Sequence, residues 1–381
     1  MILKNQSTNL SNSNKMISEG ESNNRKYVNP LNKALRIFFK EAVKISLKNP
    51  AQSFYFIELV RDQQRAAHRR TFWRGKGVHV PPIMIFSITN HCNLHCQGCY
   101  HQALRDVSKP ELSDQELNNI VGEARDLGIS FIVLAGGEPL VRKNIVKITQ
   151  DYPDVLFLMF TNGLLITDEM AVQFKKQRNL VPLISLEGYD QDTDNRRGEG
   201  VFQLLQQTIQ RLKQQEIFFG ISLTVTRSNF NTLTESGFID KITGWGGKLI
   251  LFVEYTPIEE NTDDWLITQQ QRLELAKLME VFRKKYSALF VNVPGDEKDF
   301  GGCLSAGRGF VHVSAEGDLE PCPFAPYSDV NLRDKPLKEA LQSPFLKAIV
   351  ENDDHLQENH GSCALWTRRE WVRSLLSNSE K

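Results

Sequence analysis

The chain has 381 residues, of which 40% are hydrophobic and 24% charged, and this composition excludes collagen-like and wholly disordered proteins. No stretch approaches the roughly 18 uncharged apolar residues that a membrane-spanning helix needs. Residues 1–20 are rich in Asn and Ser and contain no apolar core of a signal peptide. We therefore expect a cytoplasmic protein.

Basic residues are concentrated near the amino terminus. The whole chain is balanced, with 46 Lys and Arg against 46 Asp and Glu. Residues 30–80 nevertheless hold 11 basic and 3 acidic side chains, a net charge of +8, whereas residues 81–381 hold 31 basic and 41 acidic ones, a net charge of −10. The balanced total gives no indication of a nucleic-acid partner, and residues 30–80 are predicted to be a basic appendage on an acidic body.

The first two segments are predicted from composition and periodicity. Residues 1–29 have almost no large apolar side chains and are predicted to be a disordered tail. Residues 30–80 are predicted to be a basic helical extension, with a first helix up to Pro50 and a second through Phe54 to Arg70. The apolar face of the first helix consists of Leu35, Phe38, Phe39, Ala42 and Ile45. We expect this face to pack against the rest of the protein, and a peripheral contact with an anionic membrane is the alternative.

Six predicted strands follow, each with a predicted helix after it. They are Ile83–Ile88, Phe131–Ala135, Val155–Phe160, Leu180–Leu186, Phe219–Val225 and Lys248–Tyr255. Short connections between alternating strands and helices indicate a parallel sheet with right-handed crossovers, either a barrel or an open doubly wound sheet. In both cases the chemistry gathers at the carboxyl ends of the strands.

The pattern changes near residue 299. Glycines and prolines separate short segments such as Phe310–Val313, and helices are predicted near residues 337–341 and 346–351. We therefore divide the chain into residues 81–298, which form the strand-helix core, and residues 299–381, which form a smaller hairpin-rich unit.

Three cysteines stand on one loop directly after the first strand, at Cys92, Cys96 and Cys99. Grouped cysteines in a cytosolic chain favour metal ligation over disulfides. Three thiolates suit an iron-sulfur cube that leaves one iron open for another ligand. The alternative is a zinc site, whose fourth ligand would come from His91, His95 or His101.

The second predicted strand ends in Gly136, Gly137, Glu138 and Pro139. Two glycines let a backbone approach a ligand closely, and a carboxylate stands beside them. An ordinary strand-to-helix turn with Pro at the helix start is the alternative.

These residues resemble the radical S-adenosylmethionine (radical SAM) superfamily, whose signature is Cys, three residues, Cys, two residues, Cys and an aromatic residue, here Tyr100. The resemblance implies an α/β fold with a partial (β/α)6 barrel of the TIM type. It implies a [4Fe-4S] cluster on Cys92, Cys96 and Cys99, with the amino and carboxylate groups of S-adenosylmethionine at the open iron.

The same resemblance implies the residues that bind S-adenosylmethionine. Residues 136–139 match the segment that meets the methionine amino group, and Tyr100 is expected near the adenine. The positions that line the nucleoside and the methionine are matched by Thr161, Asn162, Ser185, Glu187 and Arg197. The family often has Asp where this chain has Glu187. Arg197 follows Arg196, and a solvated helix start is the alternative for that pair.

The other three cysteines are Cys303, Cys322 and Cys363, and the segments around them resemble the C-terminal extension known as the SPASM or twitch domain. The resemblance implies an auxiliary iron-sulfur cluster on these thiolates, with His360, water or substrate at the fourth position. Full SPASM domains have seven cysteines, and this chain departs from that number. The alternatives are buried apolar cysteines or a structural zinc site with His360.

The resemblance implies an enzyme, of oxidoreductase or transferase type, that cleaves S-adenosylmethionine reductively to a 5′-deoxyadenosyl radical. The radical abstracts hydrogen from a substrate that the residues do not identify. A small metabolite, tetrapyrrole or lipid is preferred, because no β-rich peptide-recognition module precedes the barrel. A peptide-modifying maturase is the alternative, and a non-catalytic iron-sulfur or zinc protein is the alternative from another class. The expected electron donor is a low-potential flavodoxin or ferredoxin.

Overall fold

A computed structural model describes residues 30–357 and 363–379. Its centre is one sheet of nine strands in the order β7-β6-β5-β4-β3-β2-β1-β8-β9. The strands are β1 Ile83–Ser87, β2 Phe131–Ala135, β3 Leu156–Thr161, β4 Leu180–Leu186, β5 Gly220–Val225, β6 Leu249–Glu254, β7 Leu289–Val293, β8 Phe310–Val313 and β9 Leu319–Glu320. The predicted tail 1–29 and His360 lie outside the described residues.

Helices follow most of the strands. They are α1 30–45, α2 Pro50–Gly75, α3 Tyr100–Leu104, α4 Asp114–Leu127, α5 Ile145–Gln150, α6 Asp168–Lys176, α7 Asp190–Arg197, α8 Val201–Gln214, α9 Phe230–Thr234, α10 Ser236–Gly244, α11 Gln269–Lys285, α12 Leu337–Ala340, α13 Pro344–Glu351, α14 Ala364–Thr367 and α15 Arg369–Ser379. Short 3-10 turns occur at Pro139–Val141, Asp263–Trp265, Gly295–Phe300 and Asp353–Leu356. Within the described residues, no helix is long and apolar enough to cross a membrane.

Strands β1 to β7 are neighbours in sequence order and pair in parallel, which is the arrangement of a partial barrel. The prediction of an α/β barrel with six strand-helix units and a helical amino terminus is confirmed. Two strands extend it: β7 continues the sheet beyond β6, and β8 pairs in parallel with β1. The segment Phe310–Val313 is therefore a strand, as predicted; it forms an antiparallel hairpin with β9, and it also joins the barrel sheet by pairing with β1.

Side chains on the two faces of the sheet enter different cores. Ile132 and Phe157 belong to the core between the sheet and the surrounding helices. Phe131 and Leu156, one position earlier on the same strands, belong to a second core that includes Phe39. This alternation is the two-residue period of a strand, and it means that the arm, residues 30–80, covers the inner face of the partial barrel.

The arm lies at the amino ends of the strands. Arg70 Nη1 donates to the Gly128 carbonyl at 2.6 Å, and Gln63 exchanges hydrogen bonds with Ser130, which stands directly before β2. Phe39 and Ala42 are buried in the second core. The prediction that the apolar face of α1 packs against the barrel is confirmed, and this face is not available to a membrane.

Candidate functional site

The three-cysteine loop leaves the carboxyl end of β1 and enters α3. The thiols of Cys92, Cys96 and Cys99 are partly exposed and lie within electrostatic range of one another. Burial raises the pKa of Cys92 and Cys96, and the neighbouring thiols raise it further. Arg197 and Arg196 lower the pKa of Cys96, so positive charge stands beside the place where thiolates are needed.

The loop is held by the segment after β2. The Gly137 amide donates to the Thr89 carbonyl at 2.7 Å, and the Glu138 amide donates to the His91 carbonyl at 2.9 Å. A Cβ on Gly137 would collide with that His91 carbonyl, and Gly136 has a φ of +125°. The two glycines therefore permit the close approach of this segment to the backbone just before Cys92.

Glu138 organises the end of β3. Its carboxylate accepts hydrogen bonds from Thr161 Oγ1 at 2.7 Å, from the Asn162 amide at 2.7 Å and from the Leu140 amide at 3.1 Å. The side chain is 1% exposed. Burial raises the pKa of the Glu138 carboxyl, and the three hydrogen bonds oppose that shift. The predicted residues Glu138, Thr161 and Asn162 thus form one unit.

This unit also contacts the cysteine loop. Asn162 Nδ2 donates to Asn93 Oδ1 at 2.7 Å and lies 3.9 Å from the Cys92 sulfur. Contacts therefore join the carboxyl ends of β1, β2 and β3 around Cys92. In parallel sheets, ligands bind at this edge.

Glu187, directly after β4, receives two arginines on one oxygen. Its Oε1 accepts from Arg196 Nη1 at 2.7 Å and from Arg197 Nη2 at 2.6 Å. Its Oε2 is buried and, in the part of the chain that the structure describes, has no hydrogen-bond partner. A buried carboxylate oxygen without a partner is costly, and a hydroxyl of a bound ligand would satisfy it.

Arg196 is a site residue that the sequence reasoning missed. Its Nε donates to the Gln97 carbonyl at 3.0 Å, and the Gln97 amide donates to the Arg196 carbonyl at 2.9 Å. The pair Arg196–Arg197 ends α7, is mostly buried at the site and is not a solvated helix start. Arg196 therefore connects Glu187 to the middle of the cysteine loop. The sequence signal that could have identified Arg196 is a pair of arginines that follows Glu187, the acidic residue at the end of β4, by nine and ten residues.

Two aromatic residues from the segment after β6 lie on the same loop and were also missed. A Cβ on Gly98 would stand 2.8 Å from the Trp265 ring and 2.9 Å from the Tyr255 ring. Gly98 also has a φ of +64°. The loop after β6 thus reaches across the barrel mouth to the loop after β1, and only glycine fits at the contact.

Tyr100 and Ser185 occupy different parts of the mouth. Tyr100 packs against Phe324, with 5.0 Å between ring centroids, and burial raises its pKa to about 12. It therefore faces the segment that carries Cys322. Ser185 is partly exposed on β4 beside Ser222 of β5.

The thiols of Cys303, Cys322 and Cys363 lie close to one another, although these residues are far apart in the chain. The pKa of Cys322 is raised well above its usual range by a hydrogen bond with the Cys363 thiol, by burial and by the nearby Cys363 and Cys303 sulfurs. Burial likewise raises the pKa of Cys303 strongly. Three residues far apart in the chain thus share one thiol cluster, in which Cys303 and Cys322 are buried and Cys363 is partly exposed.

The two cysteine sets are tied together by a buried network. Arg105, which ends α3, makes two hydrogen bonds of 2.7 and 2.8 Å to Glu320, two residues before Cys322. His312 Nδ1 lies 2.7 Å from Glu320 Oε2, and its Nε2 lies 2.8 Å from Ser87 Oγ at the end of β1. The network fixes the position of the second thiol cluster relative to the cysteine loop.

The histidines of the zinc alternative are placed apart from one another. His91 and His95 are exposed, whereas His101 is buried near Arg105, and burial lowers the pKa of His101 to about 3. Within residues 30–357 and 363–379, no three His, Cys, Asp or Glu side chains are grouped closely enough to hold a single metal ion. A cube of four irons binds each thiolate at a different iron and takes ligands that stand farther apart.

Comparisons with known proteins concern the sequence and the fold. The family model of the Radical SAM superfamily matches residues 86–234. The AdoMet-dependent heme synthase of Methanosarcina barkeri is 25% identical over 311 residues, which are 75% of this chain and 89% of that protein. The mycofactocin maturase MftC of Mycolicibacterium smegmatis is 25% identical over 269 residues, 66% of each chain. SuiB of Streptococcus suis, bound to its precursor peptide SuiA, shares the fold with a TM-score of 0.60 at 15% identity over 82% of this chain and 75% of its own.

The barrel of this chain carries a Radical SAM domain. The match to this domain agrees with the sequence resemblance, whereas the SPASM/twitch-like character of residues 299–381 stays a prediction. The cofactors of the family are a [4Fe-4S] cluster and S-adenosylmethionine. The three loop thiols and the unpartnered Glu187 oxygen fit these groups.

We expect Glu138→Gln to weaken binding of S-adenosylmethionine by about tenfold or more and to leave the iron content unchanged. An amide places a donor against the Asn162 amide or the Thr161 hydroxyl, at a cost of about 1–3 kcal/mol, and disturbs the end of β3. Anaerobic titration calorimetry and iron analysis measure the two effects. Glu169→Gln, on exposed α6, is the matched control, and equal affinities of the two variants would contradict the role of Glu138.

Proposed function

We propose that the carboxyl edge of the barrel binds S-adenosylmethionine between the Glu138 segment and the Glu187 carboxylate, with Cys92, Cys96 and Cys99 as the ligands of the [4Fe-4S] cluster. The observation that supports this most strongly is the connection of all three regions to the cysteine loop: Gly137 and Glu138 through the backbone, Asn162 through Asn93, and Glu187 through Arg196.

When bound, the cluster supplies the single electron that cleaves a carbon-sulfur bond of S-adenosylmethionine and yields a 5′-deoxyadenosyl radical, which takes a hydrogen atom from the substrate. The residues of the chain bind and orient the reactants. Residues 136–139 meet the methionine amino group, and Thr161, Asn162 and Ser185 line the nucleoside and the methionine. Tyr100 lies toward the adenine.

Glu187 and Arg197 act as a pair in this proposal. Burial lowers the pKa of Arg197, but Glu187 and the Cys96 thiol raise it more, so the guanidinium stays charged beside the loop. It is then available to the methionine carboxylate, and the free Oε2 of Glu187 accepts from a ribose hydroxyl. Trp265 and Tyr255 cover the loop and limit the access of water.

We further propose that Cys303, Cys322 and Cys363 hold an auxiliary iron-sulfur cluster. Their convergence from three separate segments supports this, because unrelated cysteines have no reason to share a hydrogen bond and a common electrostatic environment. His360, water or substrate completes the site. In this proposal residues 81–298 form the radical SAM core and residues 299–381 the auxiliary unit, although β8 of that unit belongs to the barrel sheet.

For the substrate we propose a non-peptide molecule, and within that class a tetrapyrrole. The heme synthase of M. barkeri is similar to three quarters of this chain, whereas the likeness to SuiB, a structure with a bound peptide, concerns the fold. A peptide substrate remains the second candidate, since MftC is named a maturase. We propose a low-potential flavodoxin or ferredoxin as the electron donor. We also propose that the protein is cytoplasmic and that its basic arm makes a peripheral contact with an anionic membrane.

The proposal is tested by anaerobic reconstitution with iron, sulfide, dithionite and S-adenosylmethionine. We expect 5′-deoxyadenosine to form slowly without substrate and faster with porphyrins that carry carboxylate side chains, with and without iron. Mass spectrometry of the porphyrin should show a product formed in proportion to 5′-deoxyadenosine. Stimulation by a peptide library alone would favour the maturase, and no 5′-deoxyadenosine under any condition would identify a non-catalytic iron-sulfur or zinc protein.

A further inference from the structure

The outward face of the arm lies at the opposite end of the barrel from the cysteine loop. α1 and α2 bury one face against the amino ends of the strands, so their other faces point away from the barrel at that end. The central strands are five to seven residues long, which separates the two edges of the sheet by about 20 Å.

This face combines exposed cations with exposed apolar side chains. On α1, the exposed residues Lys33, Arg36, Ile37, Lys40 and Lys44 recur at three- and four-residue steps and form one stripe. Ile37 is 50% exposed within it. Of these cations, only Lys44 has an acidic partner in the described residues, namely Glu41.

Exposed apolar side chains also stand on the turn after α1 and on α2. Leu47 is 66% exposed in that turn, and Phe54 and Ile57 on the first turns of α2 are 60% and 43% exposed. These side chains lie outside the apolar core, which the inward face of the same helix enters with Phe56 and Leu59. Leu47, Phe54 and Ile57 therefore belong to the outer surface of the protein and not to its core.

A cleft of about 1150 Å³ opens beside Phe54. Its charged lining consists of Arg61, Arg65, Arg69, Arg125, Lys176 and Arg178 against Glu58, Asp62 and Asp154. Asp154 pairs with Arg69 and Arg125, and Asp62 pairs with Arg65. Among the described residues, no ion pair joins Arg61, Lys176, Arg178 or Glu58 to another side chain, so the cleft presents three unpaired cations against one unpaired carboxylate.

We infer that this face docks on a membrane surface that contains anionic lipids. Phe54 and Ile57 enter the interface, and Arg61, Lys176 and Arg178 meet the headgroup phosphates in the cleft. The inference extends the peripheral contact that we proposed above and does not depend on the radical chemistry. It also orients the enzyme, because the barrel mouth then faces away from the bilayer.

Charge and position favour lipid over other anionic partners. An electron donor must approach the cysteine loop, which lies at the other edge of the sheet. A nucleic acid would match the cations but has no use for exposed aliphatic side chains such as Ile37, Leu47 and Ile57. Cations beside exposed apolar groups match an interface in which headgroups and acyl chains meet.

Flotation of the full-length holoprotein with vesicles tests the inference. We expect binding to phosphatidylcholine vesicles that contain phosphatidylglycerol, no binding to phosphatidylcholine alone, and loss of binding at high salt. Arg61→Gln with Arg178→Gln, and separately Phe54→Ser with Ile57→Ser, should each weaken binding by about tenfold or more. Lys277→Gln with Lys284→Gln, on exposed positions of α11, is the matched control and should bind as the wild type does.

Orientation is measured with an added tryptophan. Phe54→Trp should be quenched by brominated lipids beyond the background of the native tryptophans, whereas Leu273→Trp, at a position 58% exposed on α11, should not. Failure of the wild type to float, equal loss in the α11 control, or binding to DNA that is insensitive to the Phe54 and Ile57 substitutions would overturn the inference. Formation of 5′-deoxyadenosine by every variant separates these outcomes from a failure of the proposed chemistry.

Discussion

Replacing Cys92, Cys96 or Cys99 by Ala should reduce 5′-deoxyadenosine formation to background. Two remaining thiolates cannot hold a cube of four irons and still leave one iron open for S-adenosylmethionine. The loop itself should persist, because Gly137 and Glu138 hold it through the backbone before Cys92. Chromatography of the nucleoside products, with iron analysis and the visible absorption of the cluster, measures the effect.

Cys363→Ala is the matched control for these single variants, since it removes one partly exposed thiol from the other cysteine set. It should retain cleavage of S-adenosylmethionine. A variant with all three loop cysteines replaced by Ala that still forms 5′-deoxyadenosine would refute the assignment of the loop as the cluster site.

The barrel could be predicted from the sequence because its signals are local. Each core strand is a short apolar run bounded by turn residues, and helix starts such as Ser113 and Thr268 carry capping boxes with Glu116 and Gln271. Local signals give the boundaries of the six core strands within one residue, whereas α2 extends four residues before and five residues beyond its predicted ends. The pairing of β8 with β1 is different, because Ile83 meets Phe310 across most of the chain and no local pattern states it.

The site was predictable to the extent that its residues stand next to strand ends. Asn162 and Glu187 follow a strand directly, and the loop cysteines and Glu138 stand on the segments that leave the carboxyl ends of β1 and β2, so a parallel sheet brings them to one edge. The contribution of Arg196 depends on a side chain that reaches from the end of α7 to Gln97. Trp265 meets Gly98 only because a long loop crosses the barrel mouth. Contacts of this kind are set by tertiary packing, which residue spacing does not encode.

The two glycines after β2 make a different contact from the one that the sequence predicts. Their predicted use was a close approach of the backbone to a ligand. In the structure Gly136 and Gly137 approach the backbone of Thr89 and His91. The same conformational freedom thus positions the loop that carries Cys92, and binding of the methionine amino group by this segment stays a prediction.

The last expected result concerns the second cysteine set. Reconstituted wild-type protein should carry about eight irons per chain, and a variant with Cys303, Cys322 and Cys363 all replaced by Ala about four. This variant should still form 5′-deoxyadenosine slowly without substrate, because its cysteine loop is unchanged, but it should form no product. Iron and sulfide analysis, electron paramagnetic resonance of the reduced protein and product assays measure these effects.

The buried network sets the control for that experiment. Arg105 and Glu320 connect α3 to the segment of Cys322, so loss of the thiols must be separated from a collapse of this contact. A variant with all three residues replaced by Ser keeps the approximate size of the side chains and a hydrogen-bonding group at each position. It should show the same fall in iron, with Tyr100 still packed against Phe324 as judged by near-ultraviolet circular dichroism. Unchanged iron in both triple variants would show that Cys303, Cys322 and Cys363 are structural, since the loop cysteines alone would then account for all of the bound iron.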